Sequence, residues 1–199
     1  MGERIGVLGG TFDPPHVGHV ALAEAARDQL GLDRVLLVVA ADPWQKRGDV
    51  EAGVDDRVAM VEAAVEGHSG LVASDVEVRR GGPSYTADTL EALARPGRAL
   101  YLVIGGDVAA SLGTWERPDD VRALAVLAVA ARPDVAGSTG VVEALRAGGW
   151  RCEEVHLEPV AASSTEARRR LLAGEPVAQI LAPAVIRVIE ERGLYTRPR

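Results

Sequence analysis

The chain of 199 residues holds a single cysteine, Cys152. One thiol cannot build a disulfide framework or a cysteine-based zinc site within the chain. Its expected state is a buried or half-buried thiol in a reducing compartment. Long apolar runs are also missing. The longest uninterrupted one, Ala123 to Ala131, falls far short of the roughly 20 residues that a membrane span needs. The N-terminus carries no charged-then-apolar leader. Nor is there an excess of positive charge: 22 Lys and Arg stand against 29 Asp and Glu, a formal net charge of −7. That balance argues against nucleic acid or an anionic membrane as the main partner, while leaving room for a local basic pocket. Internal repeats and low-complexity tracts are absent. The expectation is a soluble, cytoplasmic protein with no nucleic-acid and no membrane partner. Its size and acidic surface fit a monomer and a homodimer equally.

What is present is an ordinary globular composition, 47% apolar and 26% charged, in a chain long enough for one domain with a proper core. Apolar runs alternate with amphipathic stretches. Candidate strands are Arg4–Leu8, Arg34–Val39, Leu71–Val78, Ala99–Ile104, Ala125–Ala130 and Cys152–Leu157. Candidate helices are Val17–Leu30, Val54–Val65, Thr86–Leu93, a short pair near Val108–Leu112 and Pro118–Leu124, and Thr139–Ala147. This alternation predicts an α/β fold: a Rossmann-like, doubly wound, mostly parallel sheet with helices on both faces. Right-handed crossovers put the carboxyl ends of its strands on one rim, where ligands bind. A C-terminal helical tail follows. It holds a helix over Ser163–Leu172 and another over Pro183–Arg192, the latter with Pro at its first turn and Gly193 as its stop. No linker composition sets the tail apart. The expectation is a single domain over 1–199, with an α/β core over 1–160 and a tail over 161–199 packed on the sheet rim.

The most informative segment runs from Gly9 to His19, Gly-Gly-Thr-Phe-Asp-Pro-Pro-His-Val-Gly-His. It lies between the end of a predicted strand and the start of a predicted helix. Free backbone N–H groups and the positive end of a helix dipole favour an anion there. His16 and His19 are three apart and share one face once the helix has begun. Gly18 would let a ligand come close to the backbone. Two imidazoles beside a glycine turn suggest phosphate chemistry. Asp13 reads as part of the turn rather than as a metal ligand.

Three later segments add to it. Gly82-Pro-Ser-Tyr-Thr-Ala-Asp-Thr-Leu90 leads a loop into a helix with hydroxyls near its start. Gly105-Gly-Asp107 ends an apolar strand, an arrangement suited to a ribose hydroxyl, and Trp115 follows in a polar loop as a stacking platform or a packing residue. Ser163-Ser-Thr165 opens a helix that carries Arg168 on the side of Ser164. Isolated His68 and His156 read as surface or structural residues, and Arg79, Arg80, Arg169 and Arg170 as solvated charge.

The glycine–histidine motif resembles the signature of the nucleotidyltransferase superfamily. With Pro43-Trp44-Gln45-Lys46, the Ser-Tyr-Thr-x-Asp-Thr-Leu loop, the Gly-x-Asp…Trp segment, the Ser-Ser-Thr-x-x-Arg helix start and a closing Gly-Leu-Tyr, the chain resembles bacterial nicotinate-nucleotide adenylyltransferases, in their actinobacterial form. The resemblance implies adenylyl transfer from ATP to nicotinate mononucleotide, giving nicotinate adenine dinucleotide and pyrophosphate for NAD biosynthesis. It implies that Gly9, Gly10, Thr11 and Phe12 line the ATP site and that His16 and His19 hold the triphosphate. Lys46 reaches phosphate, Gly105 and Asp107 meet the ribose region, and Ser164, Thr165 and Arg168 close over the phosphates. Tyr85 and Thr86 take the nicotinate end, and Trp115 stacks on the pyridine ring. Catalysis then rests on His16, His19, Lys46 and Arg168 through position and electrostatics.

Mg²⁺ is expected to be carried by the ATP phosphates, with no dedicated metal site on the chain. The acids of Glu116-Arg-Pro-Asp-Asp120 fall near where the resemblance puts a carboxylate, which leaves acid against amide preference open. Other readings are adenylylation of nicotinamide mononucleotide or another small phosphate such as phosphopantetheine, and a catalytically silent nucleotide-binding regulator.

Overall fold

The structure is a computed structural model that describes residues 2–42, 50–109, 111–131 and 140–196. Lys46 and the rest of the Pro43-Trp44-Gln45-Lys46 segment lie outside the described residues.

The chain runs through β1 (Glu3–Gly10), α1 (Val17–Leu30), β2 (Arg34–Val39), α2 (Val54–Val65), β3 (Leu71–Ser74), α3 (Val76–Arg80) and α4 (Thr86–Leu93). It continues through β4 (Arg98–Gly105), α5 (Gly106–Ala109), a 3-10 turn (Leu112–Thr114), α6 (Pro118–Leu124), β5 (Ala125–Ala131), α7 (Val141–Ala147), β6 (Cys152–His156), α8 (Ser164–Ala173) and α9 (Pro183–Arg192). The strands form a six-stranded parallel sheet in the order β3-β2-β1-β4-β5-β6. Register is plain in the centre: Ile5 lies opposite Leu100 and Val7 opposite Leu102. Leu102 in turn faces Leu127, and Ala130 faces Val155. Leu100 to Ile104 are all buried, as strands covered on both faces require. The doubly wound expectation holds.

The order reverses between β1 and β4, and open α/β sheets bind ligands outside the carboxyl ends of their strands at such a point. β1 ends in Gly9-Gly10 and β4 ends in Gly105. Each strand therefore delivers one of the segments singled out in the sequence.

Two compact units divide the chain. The first comprises Met1–Gly9, Leu22–Leu36 and Tyr85–Pro159, and the second Gly10–Ala21, Leu37–Ser84 and Val160–Arg199. Ile5, Val7, Val35, Leu102 and Leu127 are core residues of the first. Gly6 is glycine because a Cβ there would fall 2.8 Å from Val35 Cγ2. Cys152 is buried in this unit, and burial pushes its thiol pKa up, away from reactivity. His156 is exposed, and its backbone exchanges hydrogen bonds with the Gln29 side chain. In the second unit Phe12, Met60, Val61, Leu181, Val185 and Ile189 are buried. There α9 packs on α2, with Arg192 Nη1 donating to Asp56 Oδ1 at 2.7 Å.

One expected strand is half wrong. Leu71–Val78 stops as a strand at Ser74, and Val76–Arg80 is helical. The alternation of Val72, Ser74, Val76 and Val78 suits a strand, but local polar groups win. Arg79 N–H donates to the Asp75 carbonyl at 2.9 Å, and its guanidinium meets the Asp75 carboxylate at 3.1 Å. Gly81, at φ 71°, ends the turn by donating to the Glu77 carbonyl. The helix expected near Val108–Leu112 is instead α5 directly after β4, with the 3-10 turn behind it.

Leu127 is 0% exposed in the sheet centre. Leu127→Ala is expected to lower unfolding free energy by about 2–5 kcal/mol, read from the urea midpoint at unchanged m-value.

Candidate functional site

In the second unit the glycine turn is fixed from below. A Cβ on Gly10 would fall 2.9 Å from Phe12 Cζ, so the backbone lies directly on that buried ring. Ala40 N–H donates to the Gly10 carbonyl at 2.9 Å. Arg57, 2% exposed, donates through Nη1 to the carbonyls of Thr11 and Ala40, both at 2.8 Å. Burial lowers its pKa, and the charge of Asp13 works against that shift. Sequence reading passed over Arg57. Its signal was there: it stands three residues before Met60 and four before Val61, a cation on the buried stripe of α2.

Asp13 is a turn residue, as expected, but with a larger reach. Its buried carboxylate accepts from Glu51 N–H at 2.8 Å, Ala52 N–H at 3.1 Å and the Tyr195 hydroxyl at 2.6 Å. Burial first, and the bond to Asp13 second, raise the Tyr195 pKa, so the phenol stays a donor.

His16 precedes α1 and His19 lies in its first turn. Their rings stack with centroids 3.7 Å apart and planes 26° from parallel. His16 N–H donates to His19 Nδ1 at 3.1 Å, which makes Nε2 the protonated nitrogen of a neutral His19. His16 Nδ1 is buried without a hydrogen-bond partner, and burial pulls the imidazole down from 6.5 to about 4. Gly18 serves this pair. A Cβ there would fall 3.0 Å from His16 Nδ1, so the group it admits in this structure is the His16 ring.

The first turn of α8 closes on the same loop. Ser163 Oγ caps the helix by accepting from Glu166 N–H at 3.1 Å. Ser164 Oγ donates to the Pro14 carbonyl at 2.8 Å, while Thr165 is exposed. Arg168 donates to the Asp13 carbonyl at 2.7 Å through Nη1 and to Glu51 Oε1 at 2.9 Å through Nε. The second unit thus gathers Gly10, Thr11, Phe12, His16, His19, Ser164 and Arg168 around one loop. Arg169 and Arg170, expected as solvated charge, are ion-paired with Glu166 at the surface, Arg169 also with Glu175.

The first unit holds Gly9, Tyr85, Thr86, Gly105, Asp107 and Trp115. Tyr85 is the N-cap of α4 and Thr86 its first residue, with no side-chain cap between them. The hydroxyl of Ser84, in the second unit, accepts instead from Asp42 N–H at 3.2 Å. Gly105 is the last residue of β4, and Asp107 stands exposed in the first turn of α5. Trp115 is half-buried behind the 3-10 turn, its indole N–H directed at Ser111 Oγ at 3.4 Å. Among the described residues, no group of three or more His, Cys, Asp or Glu could hold a metal ion. Among them, too, no helix is long and apolar enough to cross a membrane.

The family model described as cytidylyltransferase-like matches residues 7–170. The chain belongs to the cytidylyltransferase-like family. Within this family it is similar almost end to end to curated proteins named probable nicotinate-nucleotide adenylyltransferase. That of Bordetella avium strain 197N is 41% identical, covering 97% of this chain and 98% of the relative. That of Saccharopolyspora erythraea is 37% identical, covering 97% and 90%. The resemblance read from the motifs is borne out. Among solved structures, the Plasmodium falciparum nicotinic acid mononucleotide adenylyltransferase complexed with NaAD superposes with a TM-score of 0.79 at 17% identity, over 97% of both chains. A putative nicotinate-nucleotide adenylyltransferase from Vibrio parahaemolyticus gives 0.69 at 20% identity, over 97% of this chain and 95% of that one. These solved structures share the fold.

Tyr195→Phe removes one of the buried donors on Asp13 and is expected to cost about 1–3 kcal/mol of stability, measured by urea denaturation. His16 gives a pH test. Between pH 6.5 and about 4 the unfolded chain binds a proton at this residue that the folded chain refuses. Stability rises with pH where the unfolded state holds more protons, so the His16 contribution is present above 6.5 and lost as pH falls through this window. His16→Gln is expected to flatten the fall of the urea midpoint across that window.

Proposed function

We propose that the chain is a nicotinate-nucleotide adenylyltransferase, moving the adenylyl group of ATP to nicotinate mononucleotide with release of pyrophosphate, a step of NAD biosynthesis. The observation that carries the reading is the stacked His16–His19 pair at the entry of α1, behind a glycine turn whose Asp13 carbonyl accepts from Arg168. The names of the curated relatives support the same activity.

A phosphate oxygen of the mononucleotide attacks the α-phosphorus of ATP, and the bond from that phosphorus to the bridging oxygen breaks. The attacking phosphate is already anionic, so no general base is needed. Charge on the α-phosphoryl oxygens and the leaving pyrophosphate is met by N–H donors held in advance. His19 offers Nε2–H because its Nδ1 is taken by the His16 backbone. His16 is neutral at working pH, and with Nδ1 shut away its Nε2 is the nitrogen left for a phosphate oxygen. Arg168 exchanges its contact with Glu51 for phosphate, joined by Ser164 and Thr165, and Lys46 reaches in from the segment after β2. Gly9, Gly10, Thr11 and Phe12 line the ATP site, and Gly105 and Asp107 take its ribose region. Tyr85 and Thr86 bind the nicotinate end and Trp115 stacks on the ring. Mg²⁺ enters on the ATP phosphates as part of the substrate. The whole chain works as one nucleotidyltransferase domain with 161–199 as its helical tail. A reducing cytoplasm agrees with the buried free Cys152.

With ATP in excess, pyrophosphate release is expected to be faster with nicotinate mononucleotide than with nicotinamide mononucleotide. His19→Ala is expected to lower kcat by about 100-fold or more while the protein stays folded by circular dichroism. Full rate in His19→Ala would falsify the assignment.

A further inference from the structure

Carboxylates crowd the two elements given to the acceptor. Asp88 and Glu91 sit on α4, which Thr86 opens, and Glu116, Asp119 and Asp120 follow Trp115. Such a field disfavours a carboxylate on the pyridine ring. One side chain answers most of it. Arg117 Nε donates to Asp120 Oδ2 at 2.5 Å, and Nη1 donates to Asp88 Oδ1 at 2.8 Å. Both terminal nitrogens also reach the Glu91 carboxylate. A separate observation is that Arg117 sits at φ 53°, in the left-handed region, as the N-cap of α6. A non-glycine residue stays there only when its surroundings over-determine it. Here α6 packs against α4, and carboxylates from both helices converge on one guanidinium. Exposed pairs such as these add little to stability one by one. Their effect on a nearby charged ligand is a different quantity, because a planar guanidinium holds several carboxylates in fixed places and cancels part of their field.

We propose that Arg117 is a specificity-determining residue for the acceptor. By holding Asp88, Glu91 and Asp120 it lowers the negative field around Thr86 and Trp115 and so admits a mononucleotide whose pyridine ring carries a carboxylate. The proposal rests on the function given above. The acid and the amide have nearly the same shape and differ by one charge on the ring substituent, so loss of the Arg117 charge penalises the acid more than the amide. Arg117 does not touch the reacting atoms and leaves the in-line step itself unaltered.

The test is kcat/KM for nicotinate and nicotinamide mononucleotides with ATP, in the unaltered enzyme, Arg117→Gln and Arg117→Lys, at low and high salt. Arg117→Gln is expected to lower the acid-to-amide ratio by about 3–10-fold at low salt, through KM for the acid, with the gap shrinking as salt screens it. Arg117→Lys is expected to retain most of the ratio. Asp120→Asn, which removes one carboxylate and leaves the guanidinium, is expected to raise the ratio and covers the case in which Arg117→Gln does not fold. Equal losses for both substrates, or an unmoved ratio in Arg117→Gln and Asp120→Asn, overturn this proposal alone. Turnover of neither mononucleotide by the unaltered enzyme overturns the function and this proposal together.

Discussion

The carboxylate of Asp13 holds the second unit together. It is buried, and a buried carboxylate is tolerated only when its lone pairs are filled. The partners that fill them come from distant stretches: two backbone N–H groups just before α2, and the phenol after α9. One residue of the glycine–histidine segment thereby fixes the entry to α2 and the end of the helical tail. The carbonyl of the same residue takes Arg168 from α8. The loop that precedes the histidines is thus tied by a single residue to three other stretches of chain.

Charge is handled differently at each buried polar site. Arg57 keeps its cation by spending one nitrogen on two carbonyls, an arrangement that also sets the spacing between the glycine turn and the end of β2. His16 takes the opposite course and sheds its charge to burial. A neutral His16 stacked on His19 avoids the repulsion that two imidazolium rings at that distance would suffer. The pair therefore suits a site whose positive potential comes from guanidinium and backbone groups, with imidazoles supplying directional N–H bonds.

Much of the fold was legible because its signals are local. α1, β2, α2, α4, α6 and α9 have the bounds that periodicity and cap residues predict, down to Pro183 and Gly193 at the two ends of α9. The misread strand at 75–78 shows the limit: β-branched alternation is a weak signal beside an Asp75–Arg79 contact and a left-handed glycine. The histidine motif could be found, but not the reason for Gly18, which depends on a rotamer of His16. Tyr195 was visible as part of a closing Gly-Leu-Tyr, yet its partner was not, because no local pattern pairs a phenol with a carboxylate 182 positions away. Arg57 was legible in principle, as a charge on an apolar stripe, and needed only the question of what neutralises it.

The separation between Asp13 and Tyr195 also bears on how the chain is made. A protein emerging residue by residue can pair β1 with β4 and β4 with β5 well before α8 and α9 exist. The histidine loop is synthesised near the beginning but lacks the phenol on Asp13 and the guanidinium on its carbonyl until those last helices have left the ribosome. Its histidines are therefore translated early, while the contacts that tie their loop to the last helices form late, so a nascent chain carries the glycine–histidine segment for most of its synthesis without the ties that hold it in place.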